Sequence, residues 1–109
     1  MQTQSVVNID PDRLQKLIQE RHALVLDVRT EQEVGRGMIA GARHIPLQQL
    51  PARMGELDRS RPLVIYCQSG ARSMLAGNFL ADAEWQEVYN LTGGVGAWLA
   101  AGLTLVQAQ

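Results

Sequence analysis

Cys67 is the only cysteine in the chain, and it closes the apolar run Leu63-Val64-Ile65-Tyr66. Behind it the sequence turns through Gln68, Ser69, Gly70 and Ala71, passes Arg72 and Ser73, and enters an alanine- and leucine-rich stretch. An apolar run without polar alternation reads as a buried strand of a parallel sheet. The carboxyl end of such a strand is where open α/β sheets bind ligands. No residue from Cys67 to Ser73 is proline, so every backbone N–H in the turn can donate. Curled around the sulfur, these donors and the helix N-terminus that follows would cradle a thiolate or an anionic group attached to it. A lone cysteine is most simply a small buried hydrophobe. Its place at a strand end, the donor-rich turn and the nearby Arg72 favour a reactive thiolate instead. Two chemistries suit it: sulfur transfer through a persulfide, and phosphate-ester or arsenate chemistry in which the loop wraps a tetrahedral oxyanion.

The rest of the chain must hold that turn in place. A short strand is expected over Val6-Val7-Asn8-Ile9, then a helix with Asp10 as N-cap and Pro11 at its first position. Leu14, Leu17 and Ile18 give this helix one apolar face, and His22 lies near its end as a solvated residue. Residues 23–26 form a second buried strand, running into Asp27-Val28-Arg29-Thr30. Thr30 and Glu33 have capping-box spacing, so a short helix begins there and breaks at Gly35 and Gly37. Asp27 and Arg29 are expected to be structural, either as an ion pair that pins the turn or with Arg29 reaching a neighbouring carboxylate such as Glu33; orienting or charging the site directly is the alternative. Pro46 confines the strand around His44 to a sheet edge, and His44 reads as a surface or hydrogen-bonded residue. One short helix is expected over residues 48–54, followed by a polar surface connection over residues 56–62. Residues 73–83 are read as a helix with Met74, Leu75, Phe79 and Leu80 as its buried stripe. A strand over residues 86–91 leads to the tight turn at Gly93 and Gly94, and a last helix over residues 95–101 stops at Gly102. Trp85 and Trp98 are assigned to packing. Strands alternating with helices imply a parallel α/β sheet with right-handed crossovers. Three strand-to-helix turns, at Asp27, Cys67 and Gly93, then gather on one rim.

Composition narrows the field. A chain of 109 residues has room for one domain and one core, and 46% hydrophobic residues is ordinary for a globular protein. A net charge of −1 gives no field favouring nucleic acid or an anionic membrane. Nine of the ten basic residues are arginine, which reads as composition bias, so Arg72 is judged by its position. One cysteine allows neither an internal disulfide nor a zinc site of paired thiolates. The first five residues lack the pattern of a signal peptide and no stretch is long enough to span a bilayer. A cytoplasmic protein is the expectation.

Four residues separate Cys67 from Arg72, one fewer than the Cys-x5-Arg loop of cysteine phosphatases, and this moves the weight from phosphate to sulfur. Over nearly its whole length the chain resembles a single-domain rhodanese, a member of the thiosulfate sulfurtransferase family. The resemblance is carried by Leu26-Asp27-Val28-Arg29 with Glu33 and residues 37–47, by the loop Cys67 to Ser73, and by Leu91-Thr92-Gly93-Gly94-Val95-Gly96-Ala97-Trp98. It implies a rhodanese-like α/β fold, a small parallel β-sheet flanked by helices on both faces, as one domain over residues 1–109 with an ordered core of about 5–105. It implies Cys67 as the nucleophile that carries the persulfide. Gln68, Ser69, Gly70, Ala71, Arg72 and Ser73 would bind substrate, with Arg72 on the donor's oxygens, and Asp27, Arg29, Met38, Gly93 and Gly94 would form the pocket rim. The donor it implies is thiosulfate; the acceptor is a thiophile such as cyanide, glutathione or a thioredoxin-like protein. No metal or organic cofactor is implied, and no nucleic acid or membrane partner. Met38 stands where the family often has histidine and Ala40 where it often has proline. The loop also lacks basic residues directly after the cysteine. A persulfide carrier loaded by a partner protein is the alternative function, with a cysteine phosphatase or arsenate reductase behind it.

Overall fold

The computed structural model describes residues 6–107; residues 1–5, where no signal peptide was read, lie outside the described part. Five parallel strands form one sheet in the order β1-β5-β4-β2-β3: β1 (Val6–Ile9), β2 (Leu24–Asp27), β3 (Arg43–His44), β4 (Leu63–Tyr66) and β5 (Val88–Leu91). The strand that ends at Cys67 is therefore the central one. All four of its residues are buried, which is why its sequence shows no polar alternation.

Helices cover both faces. On one face α4 (Ala71–Asp82) packs over Leu24, Leu26, Leu63, Ile65 and Val88, with Trp85 completing the cluster. On the other, α1 (Pro11–Arg21) and α5 (Gly94–Ala100) place Leu14, Leu17, Val95 and Trp98 against Val25, Val64, Tyr66 and Leu91. Alternation along each strand assigns its residues to these two cores. Asp10 caps α1 by accepting from the Arg13 N–H at 2.8 Å. The exposed His22 takes a left-handed conformation (φ 55°) at its C-terminus.

Two elements differ from expectation. Residues 47–56 form three short pieces, a 3-10 turn at Leu47–Gln49, α3 (Leu50–Arg53) and a 3-10 turn at Met54–Glu56. Pro51 has no N–H to continue the preceding turn, so one helix cannot run through. In α4, Leu75 is 63% exposed and Phe79 38%, while Ser73, Ala76, Gly77, Leu80 and Ala81 face the sheet. Close approach selects small residues there: a Cβ on Gly77 would lie 3.0 Å from Val6 Cγ2. Only Leu80 of the expected stripe is buried. The three turns do share the carboxyl edge of the sheet, and α4 and α5 both start there.

Candidate active site

Cys67 lies at the end of β4 with 1% of its surface exposed. Its sulfur accepts from the Gly70 N–H at 3.0 Å, the Ser73 N–H at 3.4 Å and the Ser73 hydroxyl at 3.4 Å. The loop closes because Gly70 adopts φ 105°, which reverses the chain and aims the first turn of α4 back at the sulfur. Burial alone would push the thiol up. Hydrogen bonds from the Ser73 hydroxyl and from the N–H groups of Ser73, Gly70 and Ser69 outweigh it, so the thiol ionises below its ordinary value. Gln68, Ser69 and Ala71 are exposed around this nest.

From below, α5 holds the loop. The Val95 N–H donates to the Cys67 carbonyl at 3.0 Å and the Gly96 N–H to that of Gln68 at 3.4 Å. This contact needs Gly94, whose absent Cβ would overlap the Cys67 carbonyl oxygen and lie 2.8 Å from that of Gln68. Gly94 thus acts by letting one helix end approach the loop backbone, whereas a Cβ on Gly93 would instead meet the Ala97 side chain at 2.8 Å.

Beside the loop, Arg29 and Asp27 form the expected ion pair, 2% and 0% exposed. The guanidinium donates to Asp27 Oδ2 at 2.8 Å and to the Gly37 carbonyl at 2.7 Å, and stacks over Tyr66 at 5.6 Å. It reaches the Gln68 side chain only at 3.5 Å. His44 is hydrogen-bonded through Nε2 to the Arg29 carbonyl at 2.7 Å. Asp27 is therefore beneath the rim, holding the arginine that fixes the turn.

Arg72 is committed elsewhere. Its two terminal nitrogens donate to the two oxygens of Glu33, each at 2.7 Å. The same carboxylate completes the capping box of α2 (Glu31–Val34), accepting from the Thr30 N–H at 3.0 Å. Hydrogen bonding to Arg72 first, and to Thr30, holds the Glu33 carboxyl at about 2 against the opposing effect of burial.

A depression of about 420 Å³ opens beside Gln68, lined by Arg29, Glu33, Arg36, Val95, Leu99 and Leu105. Arg72 instead lines a smaller hollow with Val28, Thr30, Pro46, Leu47 and Gln48. Met38, expected on the same rim, is 8% exposed and lines a separate depression with Val34, Ala42, His44 and Val106. Reciprocal backbone bonds to Val106, both 2.8 Å, hold it there.

Asn90 was not legible as part of the site. Its side-chain oxygen lies 2.5 Å from the Ser73 hydroxyl, and its amide nitrogen donates to Asn8 Oδ1 at 3.0 Å. The available signal was an asparagine in the interior of an otherwise apolar strand.

Comparison with known proteins bears on the family and the fold. The profile of the rhodanese-like domain matches residues 10–101. A protein of Allochromatium vinosum named sulfurtransferase is 41% identical, with 93% of this chain and 95% of that one covered. The thiosulfate sulfurtransferase GlpE of Ectopseudomonas mendocina is 35% identical over 84% of each chain. Among solved structures, a rhodanese-related protein of Thermoplasma volcanium superimposes with a TM-score of 0.83 at 29% identity, covering 92% of this chain and 97% of its own.

Proposed function

The chain belongs to the rhodanese-like domain family, and from that membership we propose that it moves a sulfane sulfur from thiosulfate to a thiophilic acceptor through a persulfide on Cys67. The observation that carries this reading is the nest of donors from Gly70 and Ser73 around a buried sulfur at the end of the central strand. The Cys67 thiolate attacks the outer sulfur of thiosulfate. A new S–S bond forms, the old one breaks, and sulfite leaves with the electron pair. The negative charge then sits on the outer persulfide sulfur, where loop N–H groups are placed to receive it. An acceptor such as cyanide attacks that sulfur, thiocyanate departs, and the thiolate is restored. Neither half-reaction needs a redox cofactor, because each displacement is heterolytic.

Thiosulfate-dependent formation of thiocyanate from cyanide tests this. Wild-type turnover that Cys67→Ala abolishes is the expected result. No thiocyanate from the wild-type protein would refute thiosulfate as donor.

A second reading, a carrier loaded by a partner protein, is favoured by one feature. Arg29 and Arg72 are both paired with carboxylates, so neither presents an uncompensated charge to a small anionic donor. Loading of Cys67 by a cysteine desulfurase, with negligible thiosulfate turnover, would select this reading. For either reading we place the protein in the cytoplasm, where a lone thiol such as Cys67 stays reduced.

A further inference from the structure

The Ser73 hydroxyl has one proton and three acceptors in reach: Asn90 Oδ1 at 2.5 Å, the Gly70 carbonyl at 3.1 Å and Cys67 Sγ at 3.4 Å. It can serve one of them well. Ser73 is fully buried and Asn90 is 4% exposed, so no solvent is there to take up the difference. Asn90 is also joined to Asn8, its register partner on the edge strand β1, with the Asn90 amide nitrogen 3.0 Å from Asn8 Oδ1. Asn8 is exposed. A chain of hydrogen bonds therefore runs from the surface through Asn90 and Ser73 to the sulfur.

An amide presents an oxygen on one side and a nitrogen on the other. With its oxygen towards Ser73, Asn90 accepts the hydroxyl proton and draws it from the sulfur, which suits a neutral Cys67. Turned over, its nitrogen donates to the Ser73 oxygen and frees the hydroxyl to donate to a thiolate. Asn8 can follow, because it too is an amide and can offer either group. We propose that Asn90 is a positioning residue for the thiolate, and that Asn8 and Asn90 reverse together to aim the Ser73 hydroxyl at Cys67 whenever its sulfur is charged. No covalent bond changes. The relay lets one buried loop hold an uncharged and a charged sulfur in turn, as a thiol cycling through a persulfide requires. The charged groups around the loop are the Arg72–Glu33 pair from α4 and α2, the Arg29–Asp27 pair at the end of β2, and Arg36 across the depression from Gln68. None of them belongs to the relay.

The test is the rate of Cys67 alkylation by iodoacetamide as a function of pH. The cysteine is unique, and alkylation reads the thiolate whether or not the protein transfers sulfur, so failure here is distinct from failure of the proposed function. Asn8→Asp can only accept, so it locks the Asn90 oxygen towards Ser73, and at an exposed position it leaves the core intact. It is expected to lower alkylation at neutral pH about fivefold, the effect of one hydrogen bond, and to move the pH profile upward. Asn90→Leu removes both the acceptor that draws the Ser73 proton and the donor that frees it, so in an Asn90→Leu or a Ser73→Ala background the Asn8→Asp effect should vanish. An unchanged Asn8→Asp profile, or an equal shift in either background, would overturn the proposal.

Discussion

Arg72 and Glu33 meet fork to fork, with both nitrogen-to-oxygen distances at 2.7 Å. The arginine that follows the cysteine loop is thereby tied to the helix that follows β2. Bidentate geometry makes this stronger than an ordinary surface pair, although the side chains are still 35% and 25% exposed. Two of the three turns on the rim are fastened together by this contact, and the charge of Arg72 is largely compensated beside the thiol.

Releasing that charge should matter more for an anionic donor than for the fold. Glu33→Gln retains the capping box, since glutamine serves at that position. It leaves Arg72 uncompensated, and kcat/KM for thiosulfate is expected to rise about two- to fivefold, the effect of one partly screened charge. Arg72→Ala leaves the carboxylate alone and should lower the same quantity. Steady-state kinetics of both variants, with a neutral persulfide donor as reference, check the sign.

The same pair contributes to acid stability. The Glu33 carboxyl falls from its ordinary 4.5 to about 2 on folding, with Arg72 as the chief cause. Because the folded value is the lower one, the stabilisation is complete above about pH 4.5 and is lost as pH falls towards 2. Urea melts between pH 6 and pH 2 should show a shallower acid decline for Glu33→Gln than for the wild type.

Ser73→Ala removes a hydroxyl 3.4 Å from the sulfur and leaves the backbone donors in place. The Cys67 pH profile should move upward, and alkylation at neutral pH should fall about three- to tenfold. Thiol titration by absorbance of the thiolate measures this directly.

Gly94→Ala and Gly102→Ala separate crowding from backbone strain. Both glycines have positive φ, 54° and 83°, but a Cβ at Gly102 meets nothing within 4 Å. At Gly94 it would strike the Cys67 carbonyl. Gly102→Ala should cost about 1 kcal/mol. Gly94→Ala should cost about 1–3 kcal/mol more and should also depress sulfur transfer by displacing the loop. Thermal melts with parallel activity assays distinguish the two.

Removing one member of the buried pair should be severe. Arg29→Met strands the Asp27 carboxylate at 0% exposure, and a loss of about 3–5 kcal/mol is expected. The double variant Asp27→Leu with Arg29→Met should recover part of that loss, measured by chemical denaturation.

What could be read from the chain follows from how local each signal is. The run before Cys67, the Asp10 cap and the Thr30–Glu33 box lie within a few neighbouring residues, and each appears in the fold. The buried face of α4 departs from its most hydrophobic stripe because closeness to the sheet, and not hydrophobicity, selects the residues there. A helix lying near a sheet is chosen for Ala76 and Gly77, which leaves Leu75 in solvent. Arg72 finding Glu33, and Ser73 finding Asn90, are contacts between distant segments that no spacing announces. Met38 followed the family motif onto the rim, whereas its bonds to Val106 direct it to another depression.

The most direct test of the account is the intact mass of the protein after incubation with thiosulfate and removal of excess reagent. Wild type should gain the mass of one sulfur atom, lose it on addition of cyanide, and show neither change as Cys67→Ala. A wild-type mass that no sulfane donor alters, or a sulfur adduct that survives in Cys67→Ala, would contradict Cys67 as the sulfur carrier.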